Sequence, residues 1–291
     1  MPEGDTIFRA ARTLHRALAA RTITRFETQY AQLARVHDDA PLTGRVVEAV
    51  AARGKHLLIR IGARVEATGP LGGPLVLRTH MRMSGSWHIY RTGEPWQRSP
   101  ASARIVIGTD AFVAVAFNVP IAEFGPAGDI DAVLRALGPD VLADDFDEAA
   151  AIVRLSASTR PTVAEALLDQ HAMAGIGNVY KSELLFLARL SPFTPPGAVS
   201  AGQWTRLVRD ARALLRANVV DPAAAGILTY RGARRTTGRS NPAEPLYVYG
   251  RRGRPCRRCG TPIAMRRHGE HNRSSYWCPR CQGDDRGSAS T

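Results

Sequence analysis

The sequence predicts an α+β protein of several domains, and three features of its 291 residues support this class. One helical segment, over residues 5–20, precedes short runs of Val, Ile and Leu separated by turn residues, as in antiparallel sheets. From about residue 130 the apolar residues recur at helical spacing. Two Cys-x-x-Cys pairs follow near the end. We therefore expect an N-terminal helix with a two-layer antiparallel β-sandwich, then a helical domain, then a small metal-bound hairpin.

The N-terminal half is expected to be mostly β-structure. Asp5 is the expected N-cap of the first helix. Strands are predicted near residues 44–51, 55–61, 64–68, 74–80, 86–90, 103–108 and 111–117. The run 112–117 is apolar throughout, which predicts a strand buried on both faces. Residues 118–128 are rich in Pro and Gly and predict a hinge.

The C-terminal half is expected to be helical up to the cysteine pairs. Helices are predicted over 130–137, 146–155, 163–170 and 179–188, and from residue 201. Gly138 is the expected C-cap of the first, Thr162 and Glu165 have capping-box spacing at the start of the third, and Asn178 and Ser200 are the expected N-caps of the last two. Residues 229–243 are basic and polar and predict a mobile segment. The resulting domain boundaries are 1–120, a hinge over 121–130, 131–245, 246–282 and a disordered tail over 283–291.

Positive charge is concentrated at one end of the chain. The net charge is +13, and residues 230–291 hold fourteen arginines against four acidic residues. This clustering predicts a phosphate backbone as partner. A general bias toward arginine is the alternative, because the chain has 37 Arg and only two lysines, Lys55 and Lys181. Such a bias explains the choice of arginine but not its clustering at one end.

Composition and hydropathy set limits on location. The chain is 44% hydrophobic and 22% charged, which is ordinary for a soluble globular protein. It contains no apolar run long enough to span a membrane and no signal-peptide pattern. We therefore expect a cytoplasmic protein, associated with the nucleoid in a bacterial cell.

All four cysteines lie in the two Cys-x-x-Cys pairs. Cys256 and Cys259 are separated by 18 residues from Cys278 and Cys281. This spacing suits a β-hairpin that brings four thiolates around one structural zinc ion. Two disulfides or a redox pair are the alternatives. A reducing cytoplasm disfavours disulfides, and a redox pair leaves the second Cys-x-x-Cys without a role.

Two further motifs carry chemistry. Removal of the initiator would give Pro2 a free secondary amine, which is partly unprotonated near neutral pH and can form an iminium ion with Glu3 as general acid. A mobile polar terminus is the alternative. Near the middle of the chain, Gly175 and Gly177 precede Asn178, where exposed backbone N–H groups can bind an anion. A plain helix–helix corner is the alternative there.

Several motifs recur in the order of a known family. They are Pro-Glu-Gly at 2–4, Gly-Lys-His-Leu-Leu at 54–58, Met-Ser-Gly-Ser at 83–86, Gly-Pro-Asp-Val-Leu at 138–142, Leu-Leu-Asp-Gln at 167–170, Ala-Gly-Ile-Gly-Asn-Val-Tyr at 174–180, Val-Tyr-Gly-Arg at 248–251 and Asn-Arg-Ser-Ser-Tyr-Trp-Cys-Pro-Arg-Cys-Gln at 272–282. From residue 2 to about 282 the chain resembles the formamidopyrimidine-DNA glycosylase/endonuclease VIII family of bifunctional base-excision enzymes.

The resemblance implies a fold and a set of roles. The implied fold is an N-terminal β-sandwich, a helix–two-turns–helix module, and a zinc finger that grips DNA in the cleft between the two halves. Pro2 would attack the anomeric carbon and Glu3 would protonate the sugar oxygen. Lys55 would contact a phosphate and assist β-elimination, although a solvated strand-end charge is the alternative reading. Asn178 and Arg273 would bind phosphates beside the lesion, with Arg273 linked to δ-elimination.

The loop that follows the fourth predicted strand has an implied role. A flipped-out nucleotide leaves a hole in the base stack. Met83, with Arg82 beside it, is expected to fill that hole. A core methionine is the alternative. His80 is interpreted as a structural side chain.

Departures from the family pattern bear on the substrate. Gly4 favours the endonuclease VIII branch, and Thr6 replaces the second glutamate of both branches. The Pro120–Gly125 stretch lacks the arginines with which the purine-directed branch reads the opposite cytosine. Oxidised pyrimidines in double-stranded DNA are therefore the expected substrate of a monomeric enzyme, with single-stranded or bubble DNA left open. The alternatives are an 8-oxoguanine-directed glycosylase and a non-catalytic protein that binds damaged DNA.

Overall fold

The computed structural model describes residues 2–63, 71–219, 234–237 and 245–283. The predicted strand at 64–68, most of the predicted mobile segment and residues 284–291 of the predicted tail lie outside the described residues. The chain divides into two compact units, one over Met1–Ala136 and a second that begins at Leu137.

The first unit begins with α1, which covers Gly4–Leu18. The apolar face of this helix is fully buried at four positions, Ile7, Ala11, Leu14 and Leu18. Glu3 occupies the N-cap position and Asp5 lies in the first turn, so the predicted N-cap was wrong by two residues. A shift of this size is common at helix ends, where several polar residues compete for the cap.

Two four-stranded antiparallel sheets form the body of the first unit, as the sequence predicts. One sheet has the order β1-β6-β7-β5, with β1 at Arg25–Thr28, β5 at Ser86–Arg91, β6 at Ala103–Gly108 and β7 at Phe112–Phe117. The other has the order β2-β3-β4-β8, with β2 at Val47–Arg53, β3 at His56–Ile61, β4 at Leu75–His80 and β8 at Ile121–Pro126. Apolar side chains of both sheets and of α1 share one core. Residues 113–117 of β7 are all buried, as expected for its apolar run.

Three elements of the first unit differ from the expectation. Two elements of the structure, β1 and a short helix α2 at Ala31–Asp39, were not predicted from the sequence. Leu33 is the one buried residue of α2. The predicted hinge is instead β8, which pairs with β4 over its whole length. Because β8 is an edge strand, it tolerates the Gly and Pro residues that indicated a hinge. Helix α3, at Ala127–Arg135, follows directly, so the unit continues past the predicted boundary at residue 120.

Four helices form the body of the second unit. They are α4 at Glu148–Ser156, α5 at Val163–Leu168, α6 at Asn178–Leu187 and α7 at Ala201–Ala217. Thr162 caps α5 and Ser200 forms a capping box with Gln203 at α7, as predicted. Gly138 does not cap α3, which ends three residues earlier. A Cβ atom at Gly138 would lie 2.6 Å from the carbonyl oxygens of residues 171 and 172, so glycine is required for close backbone packing.

The second unit ends in a hairpin with a short helix. Strands β9, at Ala264–His268, and β10, at Arg273–Trp277, pair antiparallel, and α8 covers Pro279–Gln282. Helix α6 packs against β10. The cysteine pairs flank this hairpin, as their spacing predicts.

Candidate active site and nucleic-acid interface

Pro2 and Glu3 lie at the start of α1. Pro2 is half-buried, whereas Glu3 is only 1% exposed. The backbone carbonyl of Glu3 accepts the first helical hydrogen bond, from Ile7 N at 3.0 Å, but its side chain makes no capping bond. The helix therefore holds the Glu3 backbone in place without using its carboxyl group as a cap. A buried carboxyl group beside the terminal residue is the arrangement that the sequence motif predicts for a general acid.

The residues that follow Glu3 are structural. Asp5 is fully buried and forms an ion pair with Arg9, with 3.6 Å between Oδ2 and Nη2. The Thr6 hydroxyl donates to Asp5 Oδ1 at 3.3 Å. Because Asp5 is committed to these partners, it does not take the place of the glutamate that Thr6 replaces.

Lys55 lies in the tight turn between β2 and β3. Gly54 before it has φ +57°, a value that glycine adopts without strain and that suits a two-residue hairpin turn. The next residue, His56, pairs across the sheet with His80 of β4. Their ring centroids are 5.2 Å apart, and the pKa of both is lowered by burial first and then by neighbouring charges that include Lys55. The turn therefore places the lysine beside two histidines.

Both histidines are neutral at pH 7. Burial, then the neighbouring His80 and Arg78, lowers the pKa of His56 to about 4. Burial, then Lys55 and Arg82, lowers the pKa of His80 to about 4. His56 Nδ1 accepts a hydrogen bond from Arg78 Nη1 at 3.2 Å, and His80 Nδ1 accepts one from Arg82 N at 3.0 Å. The hydrogen of each neutral ring therefore sits on Nε2, and the pair adds hydrogen-bond donors but no charge beside the lysine.

The loop between β4 and β5 exposes Met83. Its side chain is 61% exposed, so it is not a core methionine. Arg82 has φ +44°, and its N–H donates to His80, which fixes the turn. A Cβ atom at Gly85 would lie 2.6 Å from the Met81 carbonyl oxygen, so the loop needs glycine there. An exposed apolar side chain on a constrained turn has the properties of a wedge residue.

In the second unit, Asn178 is held from two sides. It is the first residue of α6 and does not cap the helix, since Gly177 occupies the N-cap position. Lys181 Nζ donates to Asn178 Oδ1 at 2.6 Å, and Asn178 Nδ2 donates to Ser274 Oγ at 3.0 Å. These bonds fix which end of the carboxamide is the donor.

Lys181 also connects α6 with β10. Its side chain is fully buried, and Nζ donates to the Ser274 carbonyl oxygen at 2.9 Å. Arg273, the neighbour of Ser274, is exposed at the start of the strand. One buried ammonium group therefore contacts the first predicted phosphate ligand, Asn178, and the strand that carries the second, Arg273.

The two residues after Lys181 hold the zinc-finger region to α6. Ser182 Oγ accepts from Tyr276 N at 3.4 Å. Glu183 is fully buried, and its carboxylate accepts from the backbone N–H groups of Tyr247, Val248 and Tyr249 at 2.8–2.9 Å. A carboxylate with three backbone donors is fully hydrogen-bonded despite its burial, so this contact anchors the segment that leads to the cysteines.

The four cysteines form one cluster. Their sulfur atoms lie within 4.8 Å of one another, and all four are free thiols. Cys259 Sγ is 3.4 Å from Cys278 Sγ and 3.5 Å from Cys281 Sγ. Sulfurs that bind a tetrahedral zinc at ~2.3 Å are themselves ~3.8 Å apart, so the cluster fits the ion with little adjustment. The backbone N–H of Arg258 donates to Cys256 Sγ at 3.4 Å, a hydrogen bond that holds this sulfur in place.

The sequence matches known proteins over nearly its whole length. Residues 1–120 match the formamidopyrimidine-DNA glycosylase N-terminal domain, 137–227 the H2TH domain of the same glycosylase, and 253–283 the zinc finger found in FPG and IleRS. The chain is 41% identical to a probable endonuclease 8 2 of Streptomyces coelicolor, over 97% of this chain and 94% of that protein. The chain belongs to the formamidopyrimidine-DNA glycosylase/endonuclease VIII family.

Other family members agree with this assignment. The DNA-(apurinic or apyrimidinic site) lyase Nei2 of Mycolicibacterium smegmatis is 39% identical, over 97% of this chain and 99% of that protein. Among solved structures, Lactococcus lactis Fpg in complex with oxidised pyrimidine-containing DNA superimposes with a TM-score of 0.77 at 22% identity. That structure covers 97% of this chain, and the match establishes the family fold.

The zinc of this family member is structural. The four cysteine sulfurs occupy all positions of a tetrahedral ion, so none is left for a substrate. Among the described residues, this is the one group of histidine, cysteine and acidic side chains close enough to hold a metal. In the described part of the chain, no helix is both long and apolar enough to cross a membrane.

Sequence reasoning missed the residues that support the site. Lys181 is one of two lysines in the chain and lies three residues after Asn178, so helical spacing alone puts both on one face. Glu183 carries no comparable signal, because its partners are backbone N–H groups more than sixty residues away. The hydrogen-bonded chain of Ser86, His88 and Tyr90 was also missed, although the three alternate along one strand.

Proposed function

We propose that this protein removes oxidised pyrimidines from double-stranded DNA through a Schiff base on Pro2. The broader activity follows from its family: the chain is a DNA glycosylase and AP lyase with DNA as its partner. The single observation that carries the proposed mechanism is the pairing of a half-buried Pro2 with the buried Glu3 at the start of α1.

The reaction begins with the Pro2 amine. Its nitrogen attacks C1′ of the damaged nucleotide, the C1′–N bond to the base breaks with its electron pair on the base, and the base takes up the proton that the Pro2 nitrogen loses. Glu3 protonates the sugar ring oxygen, the ring opens, and an iminium ion forms between Pro2 and C1′. The iminium accepts electrons when a proton leaves C2′, so the 3′ phosphate departs by β-elimination. A second elimination releases the 5′ phosphate and leaves a one-nucleotide gap.

Cationic and amide groups bind the phosphates in this proposal. Lys55 lies beside two neutral histidines, which add no charge to that of the lysine at a phosphate there. Asn178 is fixed as a donor by Lys181, and Arg273 supplies an exposed guanidinium at the hairpin. Met83 fills the space of the flipped-out nucleotide, with Arg82 beside it. In this proposal the enzyme acts as a monomer on chromosomal DNA, which would place it at the nucleoid.

The choice of pyrimidines rests on three positions. Thr6 removes the second carboxylate at the start of the chain, and Gly4 matches the endonuclease VIII branch. Residues 121–126 belong to β8, where Glu123 forms an ion pair with Arg78 at 2.5 Å. This stretch is a strand paired along β4 and not a loop, and it carries no arginine. The relatives named endonuclease 8 support the same choice.

An 8-oxoguanine-directed activity is the second candidate. It is favoured by a relative named formamidopyrimidine-DNA glycosylase, from Herpetosiphon aurantiacus, which is 32% identical over 82% of both chains. The test is borohydride trapping on parallel duplexes that contain thymine glycol, 8-oxoguanine or an abasic site, with bubble and single-stranded versions of each. We expect trapping on thymine glycol and on the abasic site. Preferential trapping on 8-oxoguanine would overturn the pyrimidine assignment, and no trapping on any substrate would overturn the mechanism.

A further inference from the structure

A cavity of about 500 Å³ lies beside Pro2 in the first unit. Pro2 and Thr6 are among the residues that line it, as are Ser86 and His88 of β5 and the basic residue Arg98. Leu14 and other apolar side chains form part of its wall. Among the described residues that line it, none is acidic, so a carbonyl oxygen inside would meet no negative charge. A volume of this size accommodates a nucleobase.

Three side chains of β5 form a hydrogen-bonded chain that ends at this cavity. The Gln97 backbone N–H donates to Tyr90 Oη at 3.2 Å. Tyr90 Oη lies 3.3 Å from His88 Nδ1, and His88 Nε2 lies 3.1 Å from Ser86 Oγ. The alternation of residues along a strand explains why all three side chains lie on one face.

The direction of the chain is fixed at its buried end. A backbone N–H is always a donor, so Tyr90 Oη is an acceptor from Gln97. Tyr90 is 2% exposed, and a buried phenol without an acceptor is destabilising. Its hydroxyl proton therefore points to His88 Nδ1. The neutral ring then carries its hydrogen on Nε2 and donates it to Ser86 Oγ.

The opposite direction is disfavoured on the same grounds. If Ser86 donated to His88, the ring would donate to Tyr90 through Nδ1. The Tyr90 oxygen would then accept twice, and its own buried proton would have no acceptor among the described residues. The favoured direction leaves the proton of half-buried Ser86 without an acceptor in the described part of the chain, and Ser86 is one of the residues that line the cavity.

We propose that Ser86 donates a hydrogen bond to a carbonyl oxygen of the flipped-out base in this cavity, and that His88 and Tyr90 hold it as a donor. This inference rests on the proposed function, since it places the base that leaves Pro2 in the cavity that Pro2 lines. When the C1′–N1 bond breaks, the electron pair spreads onto the carbonyl oxygens of the pyrimidine. A fixed O–H donor there stabilises the leaving base more than the bound one.

The position of Ser86 is well defined by its neighbours. Its backbone pairs with Phe117 of β7, and the preceding Gly85 is confined by the Met81 and Val119 backbones. Thr6, which also lines the cavity, carries a hydroxyl where the family has a carboxylate, and this hydroxyl donates to Asp5. The cavity thus offers a neutral donor in place of an acidic group, which favours bases with adjacent carbonyl oxygens.

The test separates base release from the later steps. Ser86→Ala removes the donor, Ser86→Thr keeps it, and Tyr90→Phe removes the group that orients His88. Ser99→Ala is the matched control, because Ser99 is exposed and its side chain makes no capping bond. Each protein is assayed in single turnover on a thymine glycol duplex and on a duplex with a preformed abasic site, which has no base to recognise.

We expect Ser86→Ala to slow base release about 100-fold, the lower end of the range for one lost donor to a developing oxyanion. Its cleavage of the abasic duplex should change less than about twofold, because that step needs no leaving base. Ser86→Thr should recover most of the loss, and Tyr90→Phe should fall between the two. Ser99→Ala should match the wild type.

Two results would overturn the inference while the proposed function stands. One is an unchanged rate of base release by Ser86→Ala. The other is an equal loss on both substrates, which would indicate a general structural role. Failure of the wild-type protein to release thymine glycol while it cleaves the abasic duplex would instead overturn the proposed substrate, and this inference with it.

Discussion

The ammonium group of Lys181 lies 2.6 Å from the carboxamide oxygen of Asn178, one turn earlier on α6. The same group donates to the Ser274 carbonyl oxygen, one residue from Arg273. It bonds to protein oxygens and is fully buried, so it acts on DNA only through the groups that it holds. Lys181 is therefore a positioning residue for the proposed phosphate contacts.

We predict that Lys181→Met raises the Kd for an abasic duplex about tenfold, since one charge-assisted hydrogen bond that orients Asn178 is lost. The salt dependence of binding should not change, because Asn178 is uncharged. Binding titrations over a range of salt measure both quantities. Lys181→Arg is the control for charge. Combining Lys181→Met with Asn178→Ala should add little to Asn178→Ala alone, and fully additive losses would contradict the positioning role.

Substitution of Arg273, unlike that of Lys181, should change the salt dependence of DNA binding. Arg273→Ala should lower the slope of log Kobs against log salt by about 1, because one exposed cation leaves the phosphate interface. It should also reduce the δ-elimination product more than base release. Arg267, an exposed arginine on the facing strand, provides the control. Arg267→Ala should leave the ratio of β- to δ-products at the wild-type value, and a shift as large as that of Arg273→Ala would refute the specific role.

The zinc prediction concerns both metal and fold. Purified protein should contain one equivalent of zinc, bound by Cys256, Cys259, Cys278 and Cys281. Cys259→Ser should release the metal and unfold the hairpin, because binding of a structural zinc supplies roughly 10 kcal/mol or more to such small units. Metal analysis and DNA-binding titrations test this. A zinc-free protein with full affinity and activity would refute it.

The neutral histidine pair predicts a pH dependence of stability. The pKa of His56 and of His80 is about 4 in the folded chain and ~6.5 in the unfolded chain. Between these values the unfolded chain binds more protons, so stability should fall as pH falls from ~6.5 to about 4. Thermal melting at several pH values measures this loss.

Substitutions isolate the contribution of the pair. The double variant His56→Gln, His80→Gln should show a flatter dependence of Tm on pH over this interval. His271→Gln, which removes an exposed histidine of the second unit, should keep the wild-type dependence. An identical slope for the double variant and the wild type would show that the pair is not protonated on unfolding.

The sequence was sufficient for the parts of the fold that depend on local pattern. The apolar run of β7 and the capping box of α7 are continuous segments, so each predicts its own structure. β8 and α2 were missed because their stability comes from neighbours. β8 is defined by its pairing with β4, and α2 buries a single residue, Leu33. No local pattern distinguishes such an edge strand from a hinge.

The residues of the candidate site also differ in whether the local sequence indicates them. The zinc ligands were predictable because the four cysteines form two Cys-x-x-Cys pairs, a spacing typical of zinc sites. The roles of Pro2 and Glu3 remain predictions, which rest on the chemistry of a free proline amine and on the resemblance. The contacts of Lys181 with Ser274, and of Glu183 with residues 247–249, join segments more than sixty residues apart. They depend on tertiary packing and have no signal in a single sequence.

The most direct test of the proposed mechanism is the identity of the crosslinked residue. Borohydride reduces an iminium to a stable amine, so the wild-type protein incubated with a thymine glycol duplex should yield a covalent complex. Mass spectrometry of the digested complex should place the DNA remnant on Pro2, in protein whose initiator methionine has been removed. Protein that retains Met1 should not trap, because its Pro2 nitrogen is an amide. A crosslink on Lys55 or Lys181 would contradict the mechanism, even if the damaged base is still released.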